Sequence, residues 1–177
     1  MATESAQYYD VEQPEEIPTR DREDAMGAYL MMFAALAAGL PLPIINLIAA
    51  IIYYVVNAKK SRFIKFHALQ SLLSQAPTTL MNAGLLYWTL HAIFNHGFGK
   101  DVIIDGFPEM DQLYWGYLWT VVAANLLYVI YSIVGAVKAR KGQFYYFVFF
   151  GKLAYHFAYR VKLSDFEPKQ TLNKPPA

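Results

Sequence analysis

The 177-residue chain contains no cysteine. That excludes disulfides, thiolate metal centres and a cysteine nucleophile. Charge is scarce as well: Asp, Glu, Lys and Arg make up 16% of residues against 56% hydrophobic ones, where a soluble domain carries about a quarter charged. The stretches 25–56, 76–94 and 121–137 hold no Asp, Glu, Lys or Arg at all. The N-terminus lacks both the basic n-region of a secretory signal and the Arg-rich, acid-poor character of a transit peptide. The mature chain is therefore expected to begin near Met1. Catalytic signatures are missing too. There is no G-x-S-x-G elbow, no H-E-x-x-H pair, no phosphate-cradling glycine loop, and no carboxylate at useful helical spacing from a histidine. Enzymatic activity is not expected, and neither is a cofactor.

What is present is organised by region. Residues 1–24 carry eight acids and two arginines, and residues 59–65 carry four bases and no acid. The loop 96–111 has four acids against Lys100, and from Lys138 onward eight bases face Asp165 and Glu167. Uncharged runs punctuated by basic clusters mark a small polytopic membrane protein, expected in a bacterial cytoplasmic (inner) membrane. The expected fold is all-α, a membrane helical bundle of about four segments. A polar acidic tail over 1–23, flexible or bound to a partner, precedes a four-helix membrane domain over 24–141. An interfacial aromatic segment over 142–163 and a polar tail over 164–177 follow.

The first apolar run is too long for one ordinary span, since its 32 residues would make about 48 Å of helix against a hydrocarbon core of about 30 Å. Gly39-Leu40-Pro41-Leu42-Pro43 breaks it, because each proline removes a donor and disfavours helix before it. A hairpin of two short helices, about 25–39 and 43–57, is expected. A third helix from about 61 to 91 carries Pro77 as a kink, and a fourth covers about 112–139. Lys/Arg-rich short loops stay inside, so 58–66 and the C-terminus are expected in the cytoplasm, with the N-terminus beside them if the hairpin is right. The acidic loop 96–111 then lies outside, with Tyr114, Trp115, Tyr117 and Trp119 as an aromatic belt. The sequence FYYFVFF at 144–150, followed by Lys152, is too short to cross and is expected at the interface; a buried strand is the lesser alternative.

His67, Gln70, Ser71, Ser74, Thr78 and Asn82 recur at steps of three or four along the third helix. Asn125, Tyr128 and Ser132, with Gly135, form a second such face on the fourth. Interhelical hydrogen bonding is the favoured role of such residues in hydrocarbon; a wet groove for a polar substrate is the sharper alternative. No ionisable group lies centrally in these helices, so proton-coupled transport lacks its usual carrier. His67 and His91 are 24 residues apart, about 36 Å along a helix, and cannot share an ion. Nor do His96 and His156 complete a readable metal or haem pattern. Hydrogen bonding to a neighbouring loop is the expected role of His67. Asp101, Asp105, Glu109 and Asp111 read as a solvated loop before a weak cation site. Lys59, Lys60, Arg62, Lys65, Lys138, Arg140 and Lys141 are candidate contacts for lipid headgroups, and are too few to argue for nucleic acid.

Phe63-Ile64-Lys65-Phe66-His67-Ala68-Leu69-Gln70-Ser71 resembles the F-[VI]-[RK]-F-H-A-x-Q-[SA] signature of the chloroplast inner-envelope import component of the TIC complex and of its bacterial relatives of unknown function. Residues 139–151 are similar to that family's closing A-x-x-G-x-x-Y-x-x-P-x-x-G segment, with Val148 in place of its proline. The resemblance covers about residues 25–153. It implies a four-helix membrane protein within a protein-conducting or translocon-associated assembly. The function expected is thus a non-enzymatic integral membrane subunit of a larger complex, associated with protein translocation or insertion. Its partners would be membrane lipids and other membrane subunits. The alternative is an independent small transporter or channel acting as a homo-oligomer, with Ser74, Thr78 and Asn125 open to water.

Overall fold

The computed structural model describes residues 7–34, 43–95 and 110–161. The described residues form five α-helices and no strand: α1 (Thr19–Leu30), α2 (Pro43–Asn57), α3 (Arg62–Asn95), α4 (Gln112–Arg140) and α5 (Phe150–Tyr159). Single 3-10 turns at Pro14–Glu16 and Met31–Phe33 flank α1. The Gly39 to Leu42 break, most of the acidic loop and the C-terminal tail lie outside the described residues.

Local chemistry sets several of these ends. Pro43 opens α2 at a position where its missing N–H costs nothing. Asp111 caps α4, its carboxylate accepting from the Tyr114 amide at 2.7 Å. At the other end of α4, Gly142 takes φ +71°. The Gln143 and Gly142 amides return to the Lys138 and Ala139 carbonyls, both at 2.9 Å, the paired bonds of a Schellman stop. The chain therefore reverses at Gly142 and runs back along the bundle.

Helix α1 begins at Thr19, several residues before the uncharged run. The described part of the expected flexible or partner-bound tail, from residue 7 on, is instead packed into the fold, and several of its charges find partners. Arg22 donates to the carbonyls of Ile17 and Pro14. Glu23 pairs with Arg140, and Asp24 with Lys60 at 2.8 Å. The Tyr53 hydroxyl donates to the Asp24 carbonyl at 2.6 Å. The open ends of the α1–α2 pair thus meet at one basic face, which makes the pair a hairpin. Upstream, the Tyr9 amide donates to Tyr159 O and the Val161 amide to Gln7 O, both at 2.9 Å. These bonds tie residues 7–9 to the end of α5.

The aromatic segment also departs from expectation. It does not simply lie at an interface: Phe147 is buried with Ile17, Ala25, Tyr29, Phe63, Ala136 and Ala139. Helix α5 buries Ala154, Ala158 and Tyr159 against Phe66. Val148 and Phe149, at the turn before α5, are the most exposed of its apolar residues, and Phe157 and Tyr146 are about half exposed. Gly151 permits the close return, since a Cβ there would sit 2.7 Å from the Tyr146 backbone. Among the described residues, α4 is the one helix long and apolar enough to cross a membrane. Helix α3 is longer still, 34 residues, but its polar face lowers its hydropathy. It continues through Pro77 without ending.

Candidate functional site

The polar residues at the start of α3 converge on α1 and on the returning aromatic segment. Tyr29, His67 and Gln70 are fully buried there. Gln70 donates from Nε2 to the Tyr29 hydroxyl and to the Tyr145 carbonyl, both at 2.8 Å. Its Oε1 accepts the Phe147 amide at 3.1 Å. One side-chain amide thereby satisfies a carbonyl and an N–H of an extended segment that has no strand partner, as buried backbone groups require. The Tyr29 oxygen lies 2.9 Å from His67 Nδ1. With Gln70 donating to that oxygen, the phenolic proton is free to point at Nδ1, which leaves the ring proton on Nε2. That nitrogen is buried without a hydrogen-bond partner among the described residues. Phe63, Phe66 and Phe144 enclose the ring, with centroids 4.4, 4.9 and 5.8 Å away, and aromatic faces are weak acceptors.

Ser71 extends the knot by donating to Ala28 O at 2.9 Å. The aromatic body of Tyr29 fits because residue 135 is glycine; a Cβ there would lie 2.9 Å from the ring. His67 was expected to bond a loop, and its partner is instead a side chain of α1. No periodicity could reveal that partner, for Tyr29 stands among apolar residues with no polar neighbour at helical spacing. The clue available was the polar face opposite it.

The remaining members of the polar faces lie further along. Asn82 and Asn125 exchange amide hydrogen bonds at 3.0 and 3.2 Å, tying α3 to α4. Ser74 and Thr78 donate to carbonyls of their own helix, Ser71 and Gln75 respectively. The hydroxyls of Tyr128 and Ser132 are buried and make no hydrogen bond to the described residues. The knot and the asparagine pair are therefore two separate ties, not one continuous groove. Towards the outer end, the Tyr117 hydroxyl donates to Met81 O at 2.9 Å, and Thr89 and Tyr114 share a hydrogen bond of 2.9 Å.

On the basic face, Lys60 and Arg140 are spent on the carboxylates of α1, and Lys138 donates to Gln143 at 3.1 Å. The Arg62 guanidinium stacks on the Tyr9 ring, 3.4 Å from its centroid. The Tyr159 hydroxyl donates to Glu12. Burial, and then the Glu12 carboxylate, hold that hydroxyl well above its ordinary range. No group of three or more metal-ligating side chains assembles among the described residues. What the arrangement can do chemically is hold a helical hairpin, two long helices and a folded-back tail in one register.

A family model described as the magnetosome magnetite crystal formation protein family matches residues 21–154. No curated protein and no solved structure matches the chain. The family match overturns the likeness to the plastid import component. The physical reason is visible in the knot: Phe63, Phe66, His67, Gln70 and Ser71, which carried the likeness, are packing and tying residues here. They report how α3 docks on α1. The association with protein transport rested on the same likeness and has no other support.

Proposed function

The chain belongs to the magnetosome magnetite crystal formation protein family, and from that premise we propose that it is a multi-span magnetosome-membrane protein serving crystal formation as a non-enzymatic subunit of a larger assembly. The observation that carries this reading is the use to which the buried polar side chains are put. His67, Gln70 and Ser71 are consumed in binding α1 and the aromatic segment, and Asn82 and Asn125 in binding each other. None of them is left poised over a cleft to do chemistry.

Helix α4 supports the membrane placement by its length and apolar surface. Helix α3 is tied antiparallel to it from Asn82 to Thr89, so it would cross wherever α4 does. The α1–α2 hairpin, whose ends meet at Asp24 and Lys60, would enter from the basic face, giving about four membrane segments. By the positive-inside rule that face is cytoplasmic, and the acidic loop 96–111 lies on the far side. An independent channel is less well supported, because Ser74 is buried and Asn125 is paired.

Three measurements test the proposal. Deleting the chain from the organism that carries it should change magnetite crystal size or number in electron micrographs; unaltered crystals would overturn the role. Single cysteines in this cysteine-free chain should react with an impermeant maleimide from opposite sides at Lys141 and Trp115. Labelling of both from one side would refute the crossing. Mild-detergent purification should recover companion chains, and recovery alone would refute the subunit.

A further inference from the structure

Between the loop after α2, the start of α3 and the end of α5 lies a cleft of about 350 Å³ lined by Lys59, Lys60, Arg62, Lys65, Arg160 and Tyr9. Its bases come from two distant parts of the chain. The rule that basic loops stay inside accounts for Lys59 to Lys65. It puts Arg160 on the same side but does not bring it into the cleft; the fold does that by pairing residues 7–9 with the end of α5. Carboxylates neutralise this cluster only in part. Asp24 takes Lys60, while among the described residues Lys59, Arg62 and Arg160 have no ion-pair partner. Arg160 instead lies against His156 Nε2 at 3.4 Å. Arg62 is held by its flat face on the Tyr9 ring, which leaves the N–H edge of the guanidinium free to fork onto two oxygens.

We propose that this cleft binds a phosphate group, through Lys59, Arg62 and Arg160, with Tyr9 as the platform that fixes Arg62. Like charges gathered in one concavity, three of them without an ion-pair partner among the described residues, repel one another until an anion joins them, and phosphate matches the guanidinium fork. The group can arrive on a lipid headgroup, for the cleft sits at the basic face, or as free phosphate. Nothing in this inference depends on the role in crystal formation.

The test uses the full chain in a neutral detergent, titrated calorimetrically with inorganic phosphate and, separately, with dihexanoyl phosphatidylglycerol. Saturable one-to-one binding of at least one is expected. It should weaken about tenfold or more in the double variant Arg62→Gln/Arg160→Gln and stay unchanged in Lys138→Gln/Lys141→Gln, which removes equal charge outside the cleft. Binding of phosphate alone identifies a free anion, and binding of the lipid alone a headgroup. Should the double variant lose helicity, Arg62→Lys keeps the charge but not the fork and is still expected to weaken binding. Failure of both ligands to bind, equal loss in the control, or full affinity in the cleft variants overturns the proposal.

Discussion

The two ends of this molecule are held together by different means. At the basic end, residues 7–24, the start of α3, the end of α4 and the chain beyond Gly142 enclose Tyr29, Phe63, Phe66, His67, Gln70 and Tyr159 at or near zero exposure. Towards the acidic end, α3 and α4 run on as a pair. There Leu80, Tyr87, Phe94, Leu113 and Trp119 remain more than 60% exposed, and the ties that remain are a few side-chain hydrogen bonds. The basic end is built like the core of a soluble protein, with interlocking aromatics and mostly hydrogen-bonded polar groups. Among the described residues the outer half buries little beyond Tyr114 and Val121, and presents much apolar surface to whatever surrounds it. A bilayer would supply that surrounding, since hydrocarbon accepts such side chains without a protein partner. The contrast implies that the basic end stores most of the stability that survives removal from the membrane.

The strongest way to break the contrast is at the knot. Tyr29→Ala removes a fully buried ring and strands Gln70 and His67, so a loss of about 3–5 kcal/mol is expected. Thermal and denaturant unfolding in detergent would register it, with the N-terminal segment and α5 released together. Tyr29→Phe keeps the ring and should cost only about 1–2 kcal/mol. An alanine variant as stable as the parent would show that the basic end is not the stable half.

How much of this was legible in the sequence differs between local and distant features. The start of α2 and both limits of α4 follow from Pro43, Asp111 and Gly142, whose chemistry acts within a turn, and periodicity marked the polar face of α3. The partners of that face were not legible. Gln70 reaches the backbone of residues 75 and 77 positions further along, and no spacing rule spans such a distance. The order of the acidic segment was hidden for the same reason. Glu23 owes its place to Arg140, and an acidic, proline-containing stretch looks unfolded when its counter-charges are out of view. The F-x-x-F-H-A-x-Q-S pattern misled on family because it records docking geometry.

A smaller effect is expected where α3 and α4 meet in the outer half. Asn82→Leu and Asn125→Leu should each destabilise the chain, and in the double variant the losses should not add. A double-mutant cycle in detergent is expected to give a coupling of about 0.6–2 kcal/mol, the range of side-chain hydrogen bonds between membrane helices. A coupling of zero would make the pair incidental, leaving the outer helices held by Tyr117, Thr89 and packing alone.

The smallest effect sharpens the contrast most. Leu80 is 74% exposed on α3, so Leu80→Ala should change stability by less than about 0.5 kcal/mol. The same truncation at buried Phe63, 1% exposed, should cost about 3–5 kcal/mol. The Leu80 result should stay near zero in detergent and in lipid nanodiscs alike, because neither environment gives that side chain a packed protein neighbour to lose. A cost above about 1 kcal/mol in native membrane but not in detergent would require such a neighbour. It would mean that the outer half is completed by another protein chain and not by lipid, and the missing core of that half would then belong to the assembly.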